Sequence, residues 1–271
     1  MMIQYAVFGL MIGLARWIGG MVRVFLSLTG GLAVFYGRML SRAALPHRLN
    51  WKLLGKISLN QVYFTGLQAL PLVGGIATLI GGVSIIQSFN LLTGLADSFI
   101  GTLLVSIIVR ELGPLITGVI LIGRSATAMA TELGSMRLRG EVEILEAHRI
   151  DTIAFVVVPR VLAAVLATFV LIIVFDLMGI LGGFVITLLL ADISFSLLQT
   201  RVLAALTNAD LLASGLKAVL FGQAVAVPAC FYGLRVSRSS TELPQAVTKS
   251  VVFSLASLFL LDICVAAAFY L

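Results

Sequence analysis

Five stretches of this chain stay apolar for about 20 residues or more, the length that carries an α-helix across the hydrocarbon core of a bilayer. They run near Val62–Ile86, Phe99–Gly123, Ile153–Leu190, Leu211–Leu234 and Val251–Leu271. Backbone in hydrocarbon must satisfy its own hydrogen bonds, so such a chain folds as helices. Its 271 residues are 60% hydrophobic and only 11% charged, against about 25% charged in soluble domains. The expected fold is an all-α membrane protein: five transmembrane helices, an N-terminal interfacial helix and a short cytoplasmic helix. Residues 1–60 form the N-terminal amphipathic region and 61–271 the five-span domain. The third run is too long for an upright helix and predicts tilt or an interfacial extension at its start.

The N-terminal region interrupts its apolar residues with Arg16, Arg23, Arg38, Arg42, Arg48, Lys52 and Lys56, and it holds both tryptophans, Trp17 and Trp51. Basic residues and Trp on a broken apolar stretch suggest a helix lying in the interface. A short extra span over Val22–Tyr36 is the competing reading. No basic n-region and cleavage site mark a signal peptide. The net charge of +6 is concentrated in particular connections, which points to membrane topology and away from nucleic acid. Arg124, Arg137, Arg139, Arg149 and Arg160 follow the second run, and Arg235, Arg238 and Lys249 follow the fourth. The alternate connections hold only Arg201. The N-terminus is thus expected in the cytoplasm and the C-terminus outside.

Within the second run stand Arg110 and Glu111, followed by Gly113 and Pro114. Charges in hydrocarbon are costly and usually face a cavity or a partner helix. Adjacent residues point about 100° apart on a helix, so these two need not pair with each other. Gly-Pro permits a kink and frees a carbonyl, which is tolerable only against protein or a wet cavity. Asp176, Lys217 and Asp262 are lone charges in later runs. Lys217 lies early enough in its run to snorkel outward, and the two aspartates can pair across helices or accept backbone hydrogen bonds.

The tripeptide ELG recurs 21 residues after its first copy, placing Glu132 roughly 30 Å from Glu111 along a helix. From Met136 to Arg149 the chain reads as a short amphipathic helix, with Leu138, Val142, Leu145 and Ile150 on or near one face. Glu141, Glu143 and Glu146 alternate with Arg137, Arg139 and Arg149. It is either a solvated loop helix or a docking helix for a soluble partner. Pro159 suits the first turn of the next span. Glycine pairs at Gly74–Gly75, Gly81–Gly82 and Gly182–Gly183, and the series Ala126, Ala130, Gly134, predict close helix packing, with a dimer seam as a further use.

Several chemistries find no support. There is no phosphate-cradling GxxxxGK[ST] loop, no metal spacing around His47 or His148, and no catalytic nucleophile motif. Cys230 and Cys264 read as small buried hydrophobes. No catalytic and no metal-binding residue is assigned. A proton-coupled secondary transporter using Glu111 and Glu132 is one reading of the intramembrane carboxylates, and a scaffold that only anchors a partner is another.

The segment "RELGPLITGVILIGRSATAMATELGSMR", Arg110–Arg137, with "LEAHRIDTIAFVVVPRVLA", Leu145–Ala163, resembles the MlaE/YrbE permeases, the membrane subunits of bacterial MCE-type lipid ABC transporters. Asp210–Leu234 and Ala246–Phe269 are similar to that family's last two spans. The resemblance implies a non-catalytic homodimer in the inner membrane, with an N-terminal elbow helix and a periplasmic C-terminus. It implies a cytoplasmic ABC ATPase dimer that binds the ATP and Mg, often a STAS-domain protein, and a periplasmic MCE-domain hexamer. The implied substrate is a glycerophospholipid moved between inner and outer membranes, in the upkeep of outer-membrane asymmetry. By this resemblance Arg110, Glu111, Gly113 and Pro114 lie near the lipid cavity, where Arg110 suits a lipid phosphate. Glu132, Met136, Arg137, Arg139, Glu141, Glu143, Leu145 and Glu146 belong to the ATPase-coupling region. The chain departs from the family pattern at Gly140, where a Glu is usual, a helix-weakening exchange of about 1 kcal/mol. It departs again at Thr152, in place of Pro, and in "VSRSSTELPQAV" before the last span.

Overall fold

The computed structural model describes residues 30–44, 61–91, 101–190, 195–237 and 239–270. The chain divides into two units, 1–46 and 47–271. In the first, helix α1 covers 30–43 and carries Arg38 and Arg42. The other basic residues of the N-terminal region, both tryptophans and residues 22–29 of the competing span lie outside the described residues.

In the second unit five helices are long and apolar enough to cross a membrane: α2 (Gln61–Gln87), α3 (Gly101–Leu138), α5 (Ile153–Leu189), α7 (Asn208–Gly233) and α8 (Glu242–Tyr270). Two shorter helices join them, α4 (Glu141–Ala147) after α3 and α6 (Phe195–Ala205) after α5. The described residues contain no strand. All five expected spans are present. The second extends well beyond its apolar run, because the small residues from Ser125 to Ala130 continue the helix as far as Leu138. Helix α6 was not foreseen.

Packing rests on small residues, as membrane helices without a hydrophobic drive between them require. Helices α2 and α5 meet backbone to backbone. A Cβ on Gly81 would strike the Gly179 carbonyl, whose carbon would lie 2.7 Å away, and one on Gly182 would lie 2.6 Å from the Thr78 Cα. On the other side of α5, a Cβ at Gly222 of α7 would sit 2.5 Å from the Val165 Cα. The Ala126–Ala130–Gly134 series is spent inside the subunit. Both alanines are fully buried; a Cβ at Gly233 would lie 2.9 Å from the Ala130 carbonyl, and one at Gly134 would meet Leu243. This series therefore seats α3 on α7 and α8, and offers no dimer seam. Helix α8 buries a stripe of Ala246, Ser250, Ser254, Leu258 and Asp262, each four residues on from the last. Hydroxyls in the spans bond back within their own helices, as Thr78 does to the Gly74 carbonyl at 2.8 Å and Thr187 to Gly183 at 2.9 Å.

Pro114 within α3 and Pro159 early in α5 both follow π-helical turns. Val105–Leu112 and Ile153–Val157 are π-helical, and Pro114 and Pro159 are each the second residue of the α-helical stretch that comes next. A widened turn absorbs the donor that proline lacks. Pro159 therefore does not open its span. Asp151 does, its carboxylate accepting from the Ile153 and Ala154 backbone N–H groups at 3.0 and 3.3 Å.

Candidate functional site

Span α3 begins, α7 begins and α8 ends on one side of the bundle, and the intramembrane charges gather near those ends. Arg110 reaches Asp210, the third residue of α7. Its Nη2 donates to Oδ2 at 3.2 Å, and its Nε lies 2.8 Å from Oδ1 as an ion contact without hydrogen-bond alignment. The guanidinium also sits over the Tyr270 ring, 5.0 Å from its centroid, while the Tyr270 hydroxyl donates to Asp210 Oδ1 at 3.3 Å. Asp210 is held by a reciprocal capping box with Thr207. Its side chain is wholly buried, against 27% exposure for Arg110.

About two helical turns deeper along α7 and α8 lies a second layer. The Lys217 ammonium, 1% exposed, is 2.7 Å from Asp262 Oδ1 and 3.4 Å from Glu111 Oε2. It also donates to the Arg110 carbonyl at 2.6 Å. That carbonyl stands four residues before Pro114, so it is the one whose α-helical donor the proline removes. The freed carbonyl foreseen from Gly113–Pro114 is thus satisfied by a side chain from α7, and Lys217 ties the π turn in place. The expectation that Lys217 snorkels is overturned: it faces the helix bundle, where two carboxylates and a carbonyl replace water. Arg110 and Glu111 do not pair with each other; each is tied to α7.

Asp262 pairs across helices, whereas Asp176 keeps a buried Oδ1 with no hydrogen-bond partner. That oxygen and the Phe175 ring fill the space beside Gly113, where a Cβ would collide with the carboxylate. Gly113 is therefore needed for close approach. The reading of the residues missed Asp210, Tyr270 and the inward course of Lys217. Two signals were present: the Thr207-Asn-Ala-Asp210 capping box, and the four-residue stripe that puts Asp262 on the buried face of α8.

At the opposite end of α3, Glu132 accepts from Arg160 Nη2 at 2.7 Å, clamping α3 to the start of α5. The expected single helix over Met136–Arg149 is broken. Helix α3 runs through Met136 and Arg137 to Leu138, Gly140 turns the chain at φ 75°, and α4 covers Glu141–Ala147. Gly140 is outside any helix interior, so its helix-weakening effect does not arise. A side chain there would instead add about 1–2 kcal/mol of left-handed strain. Helix α4 ends in a Schellman motif: Arg149 N–H donates to the Glu146 carbonyl, Ile150 N–H to the Leu145 carbonyl, and Arg149 takes φ 59°. Arg137 meets Glu143 at 3.0 Å and Arg139 meets Glu141 at 2.6 Å. Val142 is buried, Leu145 is half-buried, and Ile144, Glu143 and Glu146 are exposed. The structure therefore sorts the expected site residues into two groups about one membrane thickness apart.

The family model described as "Permease MlaE" matches residues 58–268. A "Probable ABC transporter permease protein" of Rickettsia bellii is 29% identical over 215 residues, covering 79% of this chain and 83% of that protein. The "Intermembrane phospholipid transport system permease protein MlaE" of Haemophilus influenzae is 29% identical over 245 residues, covering 86% and 92%. "Protein TRIGALACTOSYLDIACYLGLYCEROL 1, chloroplastic" of Arabidopsis thaliana is 27% identical over 227 residues, covering 83% and 64%. With the family model spanning most of its length, the chain belongs to the MlaE permease family.

Proposed function

We propose that this chain is the permease subunit of an ATP-driven transporter that moves glycerophospholipids between the inner and outer membranes and so maintains outer-membrane lipid asymmetry. The observation that carries the reading is the family match across the whole five-span unit, joined to the likeness to a permease named for intermembrane phospholipid transport. In this reading two copies pair in the inner membrane, with the N-terminus cytoplasmic and the C-terminus periplasmic. Cytoplasmic ATPases bind ATP and Mg and do the hydrolysis, alone or with a STAS-domain protein, and an MCE-domain hexamer receives lipid on the other side.

Nucleotide-driven movement enters at α4 and the Gly140 turn and passes through the rigid α3, whose Glu132–Arg160 clamp carries α5 with it. At the far end of α3 the π-helical turn around Arg110 reshapes the lipid site. Arg110 uses two of its nitrogens on Asp210; its Nη1 has no hydrogen-bond partner among the described residues and is the donor offered to a lipid phosphate.

The test is native mass spectrometry of the complex purified gently from its host. The expected result is two copies of this chain with two ATPase subunits and bound phospholipid. A lone chain without ATPase or lipid, after controls for detergent loss, rejects the reading. A variant locates the contact: Ile144→Asp places a charge on the exposed apolar point of α4. It is expected to weaken ATPase retention at least about tenfold, the equivalent of ~1.4 kcal/mol, while the permease stays monodisperse.

A further inference from the structure

Among the cations of the five spans, Arg124 and Lys249 meet no carboxylate among the described residues, whereas Arg110, Arg137, Arg160 and Lys217 each meet one. Lys249 is exposed two turns into α8, where its stem reaches outward, and Arg201 is exposed on α6, outside the spans. Arg124 is half-buried and lies roughly 21 Å along α3 from both Arg110 and Leu138. Its Nη2 donates to Gln68 Oε1 of α2 at 2.6 Å. The acids of the bundle are engaged elsewhere: Glu132 takes Arg160, Glu111 faces Lys217, and Asp176 packs beside Gly113, about 16 Å further along α3. Arg124 also stands in the π turn Ile122–Ala126, which no proline follows. The Thr127 hydroxyl holds that turn, donating to the Gly123 and Arg124 carbonyls at 2.7 and 2.9 Å. Such turns inside α-helices recur at functional sites. The space beside it is open, because Gly123 is exposed and a Cβ there would meet nothing within 4 Å.

Resting on the permease reading, which puts the basic connection after α3 in the cytoplasm, we propose that Arg124 and Gln68 bind the phosphate of an anionic phospholipid in the inner leaflet. A guanidinium within a span that no carboxylate neutralises calls for an anion. A net-negative headgroup supplies it, whereas a zwitterionic one brings its own cation. The Gln68 carbonyl oxygen fixes one corner of the guanidinium, and its Nε and Nη1 have no partner among the described residues. Those two donors form the fork that suits a phosphate. The Gln68 amide nitrogen, also without a partner there, adds a neutral donor. Apolar side chains for the acyl chains stand on α2 around Gln68: Phe64, Leu67 and Leu72 are 57%, 56% and 51% exposed. The separation of roughly 21 Å from Arg110 makes this a site apart from the outer charges.

The test uses a phosphatidylglycerol with a photoreactive diazirine beside its glycerophosphate, diluted into phosphatidylethanolamine nanodiscs that hold the full complex. Wild type is expected to be labelled on peptides within 61–72 and 119–127. Arg124→Gln should lower that labelling about tenfold, the equivalent of ~1.4 kcal/mol. Arg124→Lys should keep most of it, since lysine still meets phosphate as a point charge, and Gln68→Leu should fall between. One arm needs no variant: unlabelled phosphatidylglycerol should displace the probe from wild type at least about fivefold better than phosphatidylethanolamine or diacylglycerol. Inorganic phosphate should not displace it; if it does, the site takes a soluble anion and the lipid assignment is overturned. Labelling of Arg124→Gln at the wild-type level overturns the proposal. So does a wild type without label on those peptides, which points to a second copy of the chain against Arg124. A wild-type complex that carries no ATPase strikes the permease reading itself, whereas one with ATPase and no label on α2 and α3 strikes only this site.

Discussion

Lys217→Met is expected to destabilise the folded protein by about 3–5 kcal/mol, the usual cost of removing one partner of a buried ion pair. The size follows from what the ammonium does. It neutralises Asp262 at 2.7 Å, lies near Glu111, and caps the Arg110 carbonyl that Pro114 leaves without a donor. Methionine fills a similar volume, so lost packing contributes little. Adding Asp262→Leu should return half or more of the loss, since no charge then remains buried at the pair. The remainder reflects the orphaned carbonyl, worth about 1–3 kcal/mol. Thermal unfolding of the single and double variants in one detergent measures both steps. If the double variant is as unstable as Lys217→Met alone, the pair is not the source of the effect. The same variants should loosen the π turn at Val105–Leu112, seen as faster hydrogen exchange there.

The second large effect is expected at Gly81. A leucine in its place must displace the backbone of α5 at Gly179, and backbone in a packed helix pair has nowhere to go. Overpacking in cores typically costs 1–3 kcal/mol and occasionally more; against backbone the upper end or beyond is expected. The predicted outcome is loss of monodisperse protein on size exclusion. Gly75 supplies the control on the same helix, because a Cβ there meets nothing within 4 Å and the residue is exposed. Gly75→Leu should therefore purify normally. Equal behaviour of the two variants would remove the α2–α5 backbone contact from the account of stability.

Much of the architecture was legible because hydropathy and length act locally. A run of apolar residues long enough to span hydrocarbon has one low-energy backbone, and the five spans follow from that alone. The glycine pairs announced close packing, and the Gly113–Pro114 dipeptide announced a freed carbonyl. The errors share a cause. Distance from a helix end does not decide whether Lys217 snorkels; the face does, and Lys217 shares the buried face of α7 with Asp210, Ala213 and Phe221. The apolar face of Leu138, Val142, Leu145 and Ile150 and the alternating charges predict one helix over Met136–Arg149, but neither pattern reveals the left-handed turn at Gly140. The π turns at Val105–Leu112 and Ile153–Val157 each precede a proline, whereas the one at Ile122–Ala126 does not, so proline alone does not announce them.

The sequence by itself determined that this chain is a bundle of five helices in lipid, with charges in its spans that demand partners. Only the tertiary structure decided which partners they have. Arg110 and Asp210, or Glu111 and Lys217, are about 100 residues apart in the chain, and no local propensity links them. Helix packing brings them within a few ångströms, and it is this pairing across helices that lets the charges remain in the spans.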